Sequence, residues 1–131
     1  MAVAQAAQHL KFFLQYQDTD GAVSAAAELG AATKALLGPE ALLKAQVVES
    51  LIAMLQNPRA DAHAAAAAAT AAICRFQEVS LEFVAQQGAQ PLAAVLSNSA
   101  PEAQLEACRA AAAVAWHRDG REALAQAGGV K

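Results

Sequence analysis

Apolar residues recur along this chain at helical spacing, and they recur as a set. Leu10, Phe13 and Leu14 return as Leu51, Met54 and Leu55 and again as Leu92, Val95 and Leu96, each set displaced by 41 positions, from 10 to 51 and from 51 to 92. Asp20, Asp61 and Glu102 keep that register, as do Ala26, Ala67 and Cys108, and then Ala32, Ile73 and Val114. Steps of three and four within each set mark one face of an amphipathic helix, and no segment alternates with the period of two that a half-buried strand requires. A helical unit of about 40 residues cannot bury its apolar face alone. The pattern therefore predicts an all-α fold, an α-solenoid in which each unit stacks on the next.

The units fall at about 1–38, 39–79 and 80–119, with a partial unit over 120–131. In the third unit, LEFVAQQ predicts a short helix broken at Gly88, and AQPLAAVLSN predicts a second. SAPEAQLEACRAAAAVAWHR predicts a longer third, with Ser99 as N-cap and Pro101 in the first turn. Asp119-Gly120 is expected to close the unit, after which REALAQAGGVK restarts the pattern. Glu82, Val84, Ala85, Gln86 and Gly88 then return forty positions later as Glu122, Leu124, Ala125, Gln126 and Gly128. Because the chain stops as this fourth unit opens, it reads as the amino-terminal part of a longer solenoid.

These segments resemble the armadillo family. FVAQQGAQPLAAVLSN and ALAQAGGV are similar to that family's link between a short first helix and an apolar, proline-bearing second, where a glycine sets the sharp turn. EAQLEACRAAAAVA resembles its long third helix. The likeness is best over 80–130, fair over 39–76 and confined to periodicity over 1–38. In the middle unit Val47 stands where Gly88 stands in the next, so its first two helices can run together after Gly38-Pro39, as in the related HEAT architecture. Both subfamilies remain open. The resemblance implies a right-handed superhelix of three units and the start of a fourth, and a non-catalytic scaffold for protein partners. Such a scaffold binds a protein segment in its concave groove or bridges subunits of a larger assembly.

Composition narrows the classes further. A formal charge of −3, with no cluster of Lys and Arg, gives no general attraction to phosphate backbones and argues against nucleic acid as a partner. The 56% hydrophobic content is swollen by alanine, which favours helices and lets them approach closely. The longest apolar run, 64–74, is far short of the roughly 20 residues that span a bilayer, so no membrane insertion is expected. The opening MAVAQAAQHLKFF lacks the basic start of a secretion signal and the arginines of a mitochondrial presequence. Cys74 and Cys108 lie in different registers and predict small core residues in a reducing compartment. The expected location is cytoplasmic, cytoskeletal and ciliary assemblies included.

Candidate chemistry is sparse. Asp18, Asp20 and Gly21 resemble part of a calcium loop, but with Gly21 at the sixth position Tyr16 and Ala27 take the two anchoring carboxylate positions. Asp18 and Asp20 read instead as helix caps. His9, His63 and His117 belong to different units without ligand partners at metal spacing, and neither a phosphate-cradling loop nor a nucleophile elbow is present. The chain is expected to be no enzyme and to need no cofactor or metal.

The informative surface is the third helix, which the resemblance implies lines the groove. Glu102, Leu105, Glu106, Arg109, Ala113 and Trp116 fall on one stripe at three- and four-residue spacing. Arg109 and Ala113 match the positions where nuclear-import adaptors carry their groove Trp and Asn; Ala68 and Ala72, then Ala27 and Ala31, match them in the preceding units. That absence argues against the rival reading as an adaptor for basic peptides. Lys34, Arg75 and Trp116 recur 41 apart along the same stripe, from 34 to 75 to 116. Lys34, Arg75, Arg109, Ala113 and Trp116 are therefore the candidate protein-binding residues, for an acidic or aromatic-bearing segment. The bland alternative makes the cations solvated helix ends and leaves Trp116 partly buried. A third reading, a ligand-binding or catalytic helical domain, would require a closed pocket with a perturbed ionisable group.

Overall fold

The computed structural model describes residues 8–12, 20–21, 23–27, 47–56, 60–98 and 100–127, and among these there is helix but no strand. Six helices of the described residues succeed one another: α1 (Val47–Leu55), α2 (Ala60–Ile73), α3 (Gln77–Ala85), α4 (Ala89–Asn98), α5 (Pro101–Ala115) and α6 (Arg118–Gln126). Residues 8–12, 20–21 and 23–27 are also helical. No helix of the described residues is long and apolar enough to cross a membrane.

Local chemistry explains most of the boundaries. Alanine carries α2 and the second half of α5 at no side-chain entropy cost, and Asp61 and Glu102 sit in their first turns, where the helix dipole favours a carboxylate. Pro101 opens α5, where its missing N–H is no loss. The residue at the N-cap is Ala100, in an extended conformation and without a side-chain cap, instead of Ser99, which lies outside the described residues. Phe76 and His117 are the extended N-caps of α3 and α6.

The turn between α3 and α4 differs from expectation in an instructive way. Its left-handed residue is Gln87, at φ 63°, one position before the glycine. Gln87 N–H donates to the Val84 carbonyl and Gly88 N–H to that of Phe83, both at 2.9 Å, which satisfies two carbonyls at the end of α3. Gly88 is needed for space: a Cβ there would lie 2.6 Å from the buried Phe83 ring. Asp119-Gly120 also departs from expectation, because it opens α6 instead of closing the unit before it. A Cβ on Gly120 would overlap the Val114 carbonyl oxygen, so the glycine lets α6 sit directly on the end of α5.

Burial follows the period of 41. Ala62, Ala66, Ala69 and Ile73 of α2 and their equivalents Ala103, Ala107, Ala110 and Val114 of α5 are all buried. Leu10, Leu51 and Leu92 are fully buried, as are Met54 and its equivalent Val95. Equivalent helices also touch: α2 packs on α5, the most extensive helix pair described, α1 on α4, and α3 on α6. Small side chains along the α2–α5 seam let the two backbones approach closely. One sequence alignment needs correction. The last helix repeats α3 at an offset of 41, not forty, since the caps Phe76 and His117, and the buried Phe83 and Leu124, correspond at that offset. The forty-residue match rests on Glu, Ala and Gln at largely exposed positions, which do not report the buried phase.

Candidate functional site

On α5 the buried stripe Ala103, Ala107, Ala110 and Val114 turns the opposite face outward. There Glu102, Leu105, Arg109 and Trp116 are exposed, Leu105 at 55% and Trp116 at 81%, while Glu106 and Ala113 are half-buried. Arg109 lies along the surface and donates to Glu106 at 3.1 Å, an exposed pair of little energetic weight that leaves the guanidinium face open. Trp116 therefore does not take the partly buried position of the bland alternative.

Arg75 is brought to the same end of the molecule as Trp116. The link is a hydrogen bond in which His117 Nε2 donates to the Cys74 carbonyl oxygen at 3.2 Å, tying the end of α2 to the end of α5. Arg75 follows Cys74 and is exposed, its guanidinium carbon 5.0 Å from the centre of the Phe76 ring. Trp116 precedes His117, and Arg121 of α6 donates to the Ala115 and Trp116 carbonyls at 3.0 and 3.4 Å, fixing the C-terminal end of α5. Ala68 and Ala72, one and two turns before Arg75, are half-buried along α2. The expected rung at Lys34 lies outside the described residues, as does Ala31.

The sequence weighs His117 only as a metal ligand and does not single out Arg121. Their only signal is position, a His two residues past the end of a long helix and an Arg in the first turn of the next, within reach of carbonyls that lack partners. Cys74 is buried, and burial pushes its thiol up to about 12, which makes it a poor nucleophile at neutral pH. Cys108, expected in the core, is exposed. Both cysteines are free, and among the described residues no group of three His, Cys, Asp or Glu could hold a metal ion.

The chain matches no family model, no curated protein and no solved structure.

Proposed function

We propose that the chain is a right-handed armadillo-like solenoid acting as a non-catalytic protein-interaction scaffold, which captures a protein segment on the face shared by α2 and α5. The 81% exposure of Trp116 carries the reading, since a large aromatic left in water on an ordered helix end is the typical anchor of an interface. Leu105 and Arg109 extend the surface along α5, Arg75 adds a cation at the tip, and Ala68 and Ala72 leave room for another backbone. The helix pairs one period apart support stacked units. Two free cysteines suit a reducing setting, such as a cytoplasmic, cytoskeletal or ciliary assembly. Arg109, Ala113, Ala68 and Ala72 offer none of the stacking and amide groups that hold a basic localisation peptide, so no submicromolar affinity for one is expected.

The test compares two proteins in one capture experiment. Wild type and a Trp116→Ala, Arg109→Ala double variant are used to retain partners from the native cell, with retained proteins identified by mass and both baits checked by thermal melting. Loss of a specific partner from a folded double variant is expected, because truncating a central anchor costs on the order of 2 kcal/mol or more. Unchanged capture by the folded variant overturns the reading.

A further inference from the structure

A second, chemically different surface lies between α3 and α6. The two helices border an open cleft of about 420 Å³, with Leu81 and Val84 of α3 and Ala123 of α6 supplying its apolar lining and Asp119, Glu122 and Gln126 of α6 its polar lining. Leu81 is 38% exposed, whereas Val79 and Phe83 on the same helix are fully buried, so Leu81 belongs to the cleft and not to the core. The volume suits a large apolar side chain with its flanking backbone.

The charge around the cleft is one-sided. The charged residues that line it, Asp119 and Glu122, are both acidic, and α3 carries no Lys or Arg. Neither cation of α6 lines the cleft: Arg121 is turned to the end of α5, and Arg118 meets Glu122 at 3.4 Å in an exposed pair that a partner's cation can replace. Glu82 accepts from Gln86 and is half-buried. Asp119, in the first turn of α6, has no ion-pair partner among the described residues. An acidic segment would meet this rim with like charge, and a purely apolar one would strip water from carboxylates without pairing them.

We infer that the α3–α6 cleft docks a basic partner segment, which seats an apolar side chain against Leu81 and Val84 while flanking Lys or Arg residues pair with Asp119 and take the place of Arg118 at Glu122. The site uses neither Trp116 nor the α2–α5 face, so it stands or falls independently of the proposed groove.

The probe is a short fluorescein-labelled peptide of leucine and lysine in amphipathic helical order, run beside its glutamate counterpart and a scrambled lysine peptide of the same composition. Binding is followed by anisotropy at physiological salt. The ordered lysine peptide is expected to bind, and Leu81→Asp to weaken it about tenfold or more. That substitution adds negative charge, so diffuse attraction to an acidic protein would tighten binding, whereas loss of an apolar seat weakens it. Asp119→Asn with Glu122→Gln is expected to weaken binding as well, and this variant decides the matter if Leu81→Asp lowers the melting temperature. Trp116→Ala is expected to leave binding unchanged. Absence of binding to wild type, equal binding of the scrambled or glutamate peptide, undiminished binding to both folded cleft variants, or loss with Trp116→Ala overturns the inference. None of those outcomes bears on partner capture by the α2–α5 face, which the groove double variant reads.

Discussion

Helices α2 and α5 occupy the same place one period apart, yet their surroundings differ. Their inner stripes are equivalent and buried in both. On the other flank, Ala67, Thr70 and Cys74 of the α2 segment are fully buried, while the corresponding Cys108, Ala111 and Ala115 are exposed, half-buried and half-buried. Asp61 is the one exposed side chain described within α2, whereas α5 exposes Glu102, Leu105, Cys108, Arg109 and Ala112 among others. The cause is α5 itself, which lies along α2, while no described helix takes the corresponding place beside α5. Burial of α2 is thus set from outside, by the helix packed along it, and not by its own residues alone.

Equivalent substitutions on the two helices give the strongest test of that difference. Ala67→Asp places an unpaired charge in the α2–α5 seam, costing several kcal/mol against a total stability of about 5–15 kcal/mol, and is expected to abolish the cooperative melt followed by circular dichroism. Cys108→Asp, 41 positions on, should shift the melting temperature little. Similar shifts for the pair would show that α5 does not cover α2.

The two thiols sharpen the comparison through pH. Cys74 stays neutral in the fold up to about 12, whereas the same thiol in the unfolded chain ionises from about 9. Between those values the folded state binds more protons than the unfolded state, so stability falls as pH rises, by about 1.4 kcal/mol per unit. Below pH 9 this contribution is fully present. Cys74→Ala is expected to flatten that part of the slope in urea titrations across roughly pH 9–11, and Cys108→Ala to leave it unchanged. In native buffer, a thiol reagent should label Cys108 and spare Cys74.

A smaller effect separates α3 and α6. Gly120 of α6 matches Val79 of α3, and both are buried, but a Cβ on Gly120 would overlap the Val114 carbonyl oxygen. Gly120→Ala should therefore destabilise by about 1–3 kcal/mol through forced displacement of α6 from the end of α5. No loss in denaturant midpoint would mean that the close approach at Val114 is relaxed in solution.

Much of the helical layout is legible in the residues, because apolar spacing at three and four and the punctuation at Gly88 and Pro101 are local signals. The second helix AQPLAAVLSN coincides with α4, and the stripe holding Leu105, Arg109 and Trp116 does lie on the outer face of α5. Local reading fails where the deciding contact is distant in sequence. Cys108 looks like Ala67 to any local rule, and only the lack of a covering helix among those described exposes it. Gly120 resembles a terminator because the Val114 carbonyl that requires it belongs to another helix. The last helix aligns one residue short because identical surface letters outweigh the buried phase of Phe83 and Leu124.

The smallest expected effect contrasts two buried hydroxyls. Thr70 of α2 donates to the Ala66 carbonyl at 2.7 Å, so its polarity is satisfied within its own helix. Ser80 of α3 is 1% exposed, and its Oγ has no hydrogen-bond partner among the described residues. Its equivalent in α6 is the exposed Arg121, which reaches the carbonyls of Ala115 and Trp116. Burying a hydroxyl without a partner costs about 1–3 kcal/mol, and alanine removes the hydroxyl while leaving a void smaller than a water molecule. Ser80→Ala should therefore raise stability by about 1 kcal/mol, whereas Thr70→Ala, which installs the residue found at Ala111, should lower it by a similar amount. Chemical denaturation of both variants reads the sign directly. A loss of stability in Ser80→Ala would mean that its hydroxyl finds a partner in solution, and that the packing of α3 beneath the cleft differs from the arrangement described.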